Sequence, residues 1–136
     1  MKSKRVLLVD DHEVFLSTAT RLLQSIPGFH VVGQATCGEE AIKMAAALHP
    51  ELVLMDFAMP GMNGLDATLR IKRQHDAPKV IMVTLHNGPS YRALAREAGA
   101  DGFVAKDKLF VELPRLVAAL FPQADRSSEG SPVSAK

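Results

Sequence analysis

Several short apolar runs in this chain end in side chains that could take part in metal and phosphoryl chemistry. Runs of four or five apolar residues are typical of parallel strands that are buried on both faces. Ligands of parallel sheets bind beyond the carboxyl ends of the strands. We therefore expect the residues that end these runs to meet in one crevice, and they are Asp10 with Asp11, Asp56, Thr84 and Lys106.

The types of these residues indicate the chemistry of the crevice. Three converging carboxylates raise one another's pKa unless a cation lies among them. Oxygen ligands favour a hard divalent ion, Mg²⁺ before Mn²⁺ or Ca²⁺. An aspartate beside Mg²⁺ can attack phosphorus and form an aspartyl phosphate, while Lys106 and Thr84 supply a cation and a hydroxyl to the developing charge. Asp56 is the candidate nucleophile because it stands alone, whereas Asp10 and Asp11 form a pair suited to holding the ion.

Helical periodicity fills the gaps between the apolar runs. A stripe over 15–26 predicts a first helix that ends at Pro27-Gly28, and a second strand over 29–34 leads to a stripe over 41–48 that closes at His49-Pro50. A third helix is predicted from about 63 to 74, and a fourth with a stripe of Tyr91, Leu94, Ala95 and Ala98 and a cap at Gly99. The last helix lies within 109–120 and either begins near Leu113 or is kinked at Pro114.

Strand and helix thus alternate five times along the chain. Crossovers of this length join parallel strands with right-handed connections. The predicted fold class is therefore α/β, a doubly wound five-stranded parallel sheet of order 2-1-3-4-5, flavodoxin-like (βα)₅. The switch point of such a sheet lies between its first and third strands, which are the strands that end in Asp10-Asp11 and Asp56.

Composition narrows the class of protein. The 136 residues fit one domain over 1–122, and the polar stretch 123–136 is predicted to be a flexible tail or a truncated linker. Net charge is +1, which gives no support for direct nucleic-acid binding. Cys37 is the single cysteine, so no intrachain disulfide is expected. No apolar segment approaches the length of a membrane helix, and the chain is predicted to be cytoplasmic.

The motifs, taken together and in order, resemble the receiver domains of two-component response regulators. The resemblance runs from about Lys4 to Phe121. It rests on four segments, Val9-Asp10-Asp11-His12, Met55-Asp56-Phe57-Ala58-Met59-Pro60-Gly61-Met62-Asn63-Gly64, Val83-Thr84 and Gly99-Ala100-Asp101-Gly102-Phe103-Val104-Ala105-Lys106.

The resemblance implies a phosphoacceptor signalling switch and not an enzyme with a separate substrate. Asp56 would accept a phosphoryl group from a phosphohistidine on a sensor histidine kinase or a phosphotransfer protein. Mg²⁺ would be bound by Asp11, Asp56 and the backbone carbonyl of Ala58, with Asp10 acting mainly through water. Lys106 would hold a phosphoryl oxygen.

The same resemblance implies how a signal would leave the site. Thr84 would move to bond a phosphoryl oxygen, and Phe103 would turn inward as it does so, although simple packing of Phe103 remains an alternative. The face formed by the fourth helix, fifth strand and fifth helix would be the output surface, and a homodimer could form there. The output would be transcription regulation through a missing or separate DNA-binding effector, so the chain is either a stand-alone receiver or part of a longer regulator.

Some positions depart from the commonest pattern of the family. Leu85 is bulky where a small residue is frequent and could narrow access to the site. Phe103 lacks the hydroxyl of the more usual tyrosine. Ala58 and His86 occupy two variable positions that influence how fast the aspartyl phosphate hydrolyses.

The five histidines show no metal-ligand spacing and are predicted to be surface or loop residues.

Three other functions are alternatives to the signalling switch. A phosphatase with an aspartyl-phosphate intermediate would carry a second acid two residues after the nucleophile, where this chain has Ala58. An FMN carrier would need a phosphate-binding loop after the first strand, where Asp10 and Asp11 would repel the phosphate. A phosphorylation-independent interaction module is the remaining alternative.

Overall fold

The computed structural model describes residues 3–85 and 88–122. The predicted tail over 123–136 and the variable position His86 lie outside the described residues. Within those ranges, no helix has both the length and the apolar character needed to cross a membrane.

Five parallel strands form one sheet of order β2-β1-β3-β4-β5, as the sequence predicts. The strands are β1 (Lys4–Val9), β2 (Phe29–Ala35), β3 (Leu52–Asp56), β4 (Lys79–Thr84) and β5 (Gly102–Ala105). The register pairs Val9 with Met55, Asp56 with Val83 and Thr84 with Ala105. Because these pairs lie near the carboxyl ends of their strands, the residues that follow them share one edge of the sheet.

The helices are α1 (Glu13–Ser25), α2 (Gly38–Leu48), α3 (Gly64–Lys72), α4 (Pro89–Glu97) and α5 (Leu109–Leu120), and a 3₁₀ turn over Lys106–Lys108 precedes α5. The helix α3 is shorter than predicted at both ends. It ends at Lys72, with Arg73 as its C-cap, and Asn63 lies just before it and caps it by accepting a hydrogen bond from the backbone N–H of Asp66. Gly99, with φ of 98°, follows α4 as predicted.

Two predictions about helices are corrected. Of the two alternatives for the last helix, a start near Leu113 is excluded, because α5 begins at Leu109 and runs through Pro114, which costs it one backbone hydrogen bond. Burial of Leu109, Leu113 and Val117 offsets this cost by fixing the helix against the sheet. In α4 the predicted apolar stripe is also incomplete, because Leu94 is 43% exposed whereas Ala95 and Ala98 are buried as predicted.

Each face of the sheet carries its own hydrophobic core. One core lies between the sheet and the helices α1 and α5, with Leu23 and Leu113 among its fully buried members. The other lies beneath α2, α3 and α4 and is built around small residues and Ile71. The strand residues between the cores are buried on both sides, which is why their sequences are continuously apolar. The sheet is thus a rigid three-layer support for its carboxyl edge.

Candidate functional site

The carboxyl edge of the sheet gathers the polar residues that the sequence singles out. Asp10 follows β1 and still donates its backbone N–H to Ala35 of β2, Asp56 and Thr84 end β3 and β4, and Lys106 follows β5. Asp10, Asp56 and Thr84 are buried although they are polar. Buried polar groups are costly unless they are paired or bind a ligand, so this edge is a candidate site.

Three carboxylates and one imidazole form a compact group at this edge. One potential ligand atom from each of Asp10, Asp11, His12 and Asp56 lies within 4.8 Å of the others. Among the described residues, Asp10 Oδ2, Asp11 Oδ1 and Asp56 Oδ2 are buried oxygens without a hydrogen bond, the contact of Asp10 Oδ2 with Lys106 being an ion pair. Unsatisfied carboxylate oxygens facing one another fit a divalent cation. The acidic cluster can therefore bind a metal ion.

Lys106 partly neutralises the cluster. Its Nζ lies 2.7 Å from Asp10 Oδ2 and 3.7 Å from Asp56 Oδ1. The same ammonium lies 4.4 Å from the ring centroid of Phe15 on α1, which is a cation–π contact. The ammonium is thus held between an aromatic face and a buried acid, within reach of Asp56.

The electrostatics of the site act most strongly on Asp56. The pKa of its carboxyl is raised from 3.8 to about 6, first by burial and then by the charges of Asp10 and Asp11. The ammonium of Lys106 and the backbone N–H of Ala58, which donates to the carboxylate, act in the opposite direction on this pKa. A cation among the three carboxylates would favour the ionised form, which is the nucleophilic form.

The segment after β3 is held closely against Asp56. The backbone N–H of Phe57 donates to Val83, and that of Gly64 donates to the carbonyl of Phe57. A Cβ at Gly64 would lie 2.0 Å from the carbonyl oxygen of Asp56, so only glycine fits there. Gly61, with φ of 75°, makes the turn in this loop. The glycines therefore permit the loop to close over the end of β3.

A small crevice of about 80 Å³ opens above these residues. Its walls are His12, Asp56, Ala58, Thr84, Leu85 and Lys106. Leu85 contributes to the wall although it is 75% exposed. The crevice therefore joins the predicted nucleophile, hydroxyl and lysine in one space.

Asp10, Asp11 and Phe103 do not line this crevice. Asp10 and Asp11 belong to the acidic cluster beside it, whereas Phe103 lies apart from that cluster. It lies half-buried on β5 against the core beneath α2, α3 and α4. The guanidinium of Arg92 on α4 lies 4.8 Å from the centroid of its ring. One residue earlier on α4, Tyr91 packs edge to face on Phe57, which follows Asp56, with ring centroids 5.2 Å apart. The helix α4 thus contacts one aromatic ring next to Asp56 and another on β5.

Sequence reasoning missed three contributors to the site. It placed His12 among surface residues, and the side chain is indeed 63% exposed, but its Nδ1 lies 3.0 Å from Asp10 Oδ1. It assigned Phe15 only to the apolar stripe of the first helix and overlooked Arg92. The adjacency of His12 to the Asp10-Asp11 pair was the one available signal, because the other contacts join residues far apart in the chain.

The fold and the site define a doubly wound parallel-sheet domain with an acidic cluster and a lysine at the carboxyl edge of the sheet. Comparison with known proteins supplies the family. Residues 6–120 match the response regulator receiver domain. The chain belongs to this family, whose members have a signalling role and interact with histidine kinases or phosphotransfer partners.

Individual relatives agree with this assignment. The chain is 41% identical over 117 residues to the response regulator GacA of Pseudomonas viridiflava, covering 86% of this chain and 55% of that protein. It is 45% identical over 101 residues to the response regulator UvrY of Escherichia coli K12, covering 74% of this chain and 46% of that protein. A two-component response regulator of the LuxR family from Aurantimonas sp. SI85-9A1 superposes with a TM-score of 0.84 at 33% identity, covering 90% and 87% of the two chains.

The chain spans about half the length of these two curated relatives. The comparisons therefore do not assign the activity, substrates and partners of a whole regulator to this chain.

Proposed function

We propose that the chain is a phosphoacceptor switch of a two-component system, in which Asp56 accepts a phosphoryl group from a histidine of a sensor kinase or a phosphotransfer protein. The observation that carries this proposal is the buried, unpaired Oδ2 of Asp56, set among two further carboxylates and the ammonium of Lys106. This arrangement is costly for a folded protein unless it binds a cation. The cation and the ammonium of Lys106 together would then attract an anionic phosphoryl group.

Mg²⁺ is the proposed cation. Its ligands would be Asp11, Asp56 and the backbone carbonyl of Ala58, with Asp10 contributing mainly through water. When bound, the ion would neutralise charge on the phosphoryl oxygens. All these ligands are oxygens, which suits a hard ion with a preference for octahedral coordination.

The protein's own residues account for the rest of the transfer. A carboxylate oxygen of Asp56 attacks phosphorus, the bond from phosphorus to the histidine nitrogen breaks, and the electron pair leaves with that nitrogen. Lys106 lies 3.7 Å from Asp56 Oδ1 and would hold one phosphoryl oxygen. The hydroxyl of Thr84, at the end of the neighbouring strand, would bond another.

A phosphoryl group at Asp56 would then bias two conformations of the domain. Movement of Thr84 toward the phosphoryl group would draw Phe103 inward, out of its contact with Arg92. That change would alter the face formed by α4, β5 and α5, which would be the output surface and the site of a homodimer. Simple packing of Phe103 remains the alternative role for that residue.

The output is proposed to be transcription regulation through a DNA-binding effector, in the cytoplasm. We propose residues 1–122 as the receiver domain and 123–136 as a flexible tail or truncated linker. Among other functions, a phosphorylation-independent interaction module remains the main alternative, and a phosphatase is disfavoured because Ala58 occupies the position of its second acid.

The intact mass of the protein after incubation with acetyl phosphate and Mg²⁺ tests the proposal. A single phosphoryl adduct is expected on the wild type and none on Asp56→Asn or in EDTA. Asp107→Asn removes an exposed carboxyl from the turn before α5 and is the matched control, which should be modified like the wild type. Absence of the adduct from correctly folded wild type would leave the interaction module as the better hypothesis.

The switch itself is tested by association. Wild type and Asp56→Asn are compared by light scattering, with Mg²⁺ and with or without beryllofluoride, a phosphoryl mimic. A change in mass confined to the wild type supports the switch. Equal behaviour of the two proteins contradicts it.

A further inference from the structure

His12 brings a nitrogen ligand to the acidic cluster. Its backbone N–H donates to Asp10 Oδ1 at 2.8 Å, which fixes the residue at the start of α1. Its ring Nδ1 lies 3.0 Å from the same oxygen and 3.2 Å from Asp11 Oδ1. The imidazole is thus turned toward the carboxylates although most of the side chain faces solvent.

The contact of Nδ1 with Asp10 Oδ1 is a hydrogen bond in the metal-free protein, and its length also equals the spacing of neighbouring ligands of one ion. Atoms that bind a divalent transition metal at about 2.0–2.2 Å, with right angles between the bonds, lie about 3 Å apart. Nδ1 therefore stands, relative to Asp10 Oδ1 and Asp11 Oδ1, where an adjacent ligand of a shared ion would stand.

A second observation points independently to a bound ion. Asp56 Oδ2 is buried and has no hydrogen bond among the described residues, and the Asp56 side chain is only 5% exposed. Asp56 belongs to the same group of ligand atoms within 4.8 Å as His12. A carboxylate from across the crevice thus completes a donor set of three oxygens and one nitrogen.

We propose that this crevice also binds divalent transition-metal ions of the class that accepts imidazole, represented by Co²⁺ and Zn²⁺, with His12 Nδ1 as a ligand beside the carboxylates of Asp10, Asp11 and Asp56. The inference rests on the proposed function, since the same carboxylates would hold Mg²⁺. Imidazole is a good ligand for Co²⁺ and Zn²⁺, whereas Mg²⁺ prefers oxygen. His12 therefore widens the range of ions that the site takes.

Metal binding uses the tautomer of the imidazole in which Nδ1 carries a free lone pair. Nδ1 exchanges its contact with Asp10 for the metal, and the ring proton resides on Nε2. Because both classes of ion use the same carboxylate oxygens, they exclude each other from the site. A transition metal would thereby compete with Mg²⁺ for the receiver.

Direct binding measurements on the whole chain test this site. Co²⁺ is titrated with detection by its visible absorption spectrum and by calorimetry, and Mg²⁺ is titrated by calorimetry, for wild type and His12→Asn. The asparagine keeps a hydrogen-bond donor near Asp10 but is a poor ligand for Co²⁺. His75→Asn is the control, because its side chain is 95% exposed and remote in sequence from the cluster.

We expect His12→Asn to weaken the affinity for Co²⁺ at least about tenfold and to change the affinity for Mg²⁺ less than about twofold. Mg²⁺ should displace Co²⁺ from the wild type, and His75→Asn should match the wild type. Equal Co²⁺ affinity in wild type and His12→Asn overturns the proposal. An equal loss of Co²⁺ and Mg²⁺ affinity in His12→Asn also overturns it, because His12 would then only orient the carboxylates. A loss of Co²⁺ binding in His75→Asn overturns it as well.

The failure of this inference is distinguishable from failure of the proposed function. Absence of the phosphoryl adduct from wild type in Mg²⁺ would contradict the phosphoacceptor role but leave the Co²⁺ titration intact. An adduct at Asp56 together with Co²⁺ binding that does not depend on His12 overturns this inference alone.

Discussion

The Nζ of Lys106 lies 2.7 Å from Oδ2 of Asp10, and the two side chains are 11% and 1% exposed. The lysine is therefore paired most closely with the wholly buried acid and stands farther from Asp56, at 3.7 Å. This pair compensates the charge of Asp10 and keeps an ammonium beside the proposed phosphoacceptor. Screening by solvent is weak at this depth, so the pair should be energetically important.

Lys106→Met should destabilise the metal-free protein because it leaves the charge of Asp10 buried without its partner. The free energy of unfolding in urea with EDTA should fall by about 3–5 kcal/mol. Asp10→Asn in the same background should recover most of that loss, giving a clear coupling energy in a double-mutant cycle. Strictly additive effects of the two substitutions would show that the pair contributes little.

Asp56→Asn should stabilise the metal-free protein at neutral pH. The pKa of Asp56 is raised from 3.8 to about 6 by burial and by Asp10, so the native state binds a proton more tightly than the unfolded state. Ionisation of Asp56 therefore lowers stability as pH rises from about 4 to about 6, and the penalty is constant above that range. Since one pKa unit corresponds to about 1.36 kcal/mol, the variant should gain up to about 3 kcal/mol at pH 7.

Urea unfolding of Asp56→Asn and wild type in EDTA at several pH values measures this effect. The difference should vanish near pH 4 and reach its plateau above pH 6. Mg²⁺ should reduce the difference at pH 7 because it stabilises the ionised wild-type site. A difference that is the same at all pH values would contradict the assignment of the penalty to Asp56.

Gly64→Ala should disrupt the end of β3. The added Cβ would lie 2.0 Å from the carbonyl oxygen of Asp56, and backbone on both sides would have to shift. We expect a loss of about 3 kcal/mol or more, or failure to fold. Gly61→Ala in the same loop meets no atom within 4 Å and suffers only from its φ of 75°, so it should cost about 1–2 kcal/mol. Similar losses in both variants would contradict the close approach at Gly64.

Leu85→Ala should open the crevice to small phosphodonors. The side chain walls a space of only about 80 Å³ and is itself 75% exposed, so its truncation widens access without creating a buried cavity. The phosphoryl adduct should form severalfold faster from acetyl phosphate, with stability changed by less than about 0.5 kcal/mol. Leu94→Ala truncates an exposed leucine outside the crevice walls and should leave the rate unchanged. Equal rates for both variants would exclude Leu85 as a barrier.

Much of the architecture was predictable because it depends on local pattern. Apolar runs too short for helices predicted β1, β3, β4 and β5, and the helical periods between them required parallel crossovers. The sheet order then placed Asp10, Asp56 and Lys106 at one edge, and the structure brings them together there. At Pro114 the helical period predicted a continuous helix, whereas the proline predicted a break. Periodicity alone could not decide where the last helix begins, and burial of Leu109 and Leu113 in the core decided it.

The sequence by itself determined the parallel sheet, its strand order and the set of polar residues at its carboxyl edge, since these follow from periodicity and chain connectivity. Only the tertiary structure decided which atoms meet. Lys106 lies against Asp10 and Phe15, His12 turns its Nδ1 toward the carboxylates, and Arg92 covers Phe103. Such contacts depend on rotamers and on the packing of elements distant in the chain, and no period in the sequence encodes them.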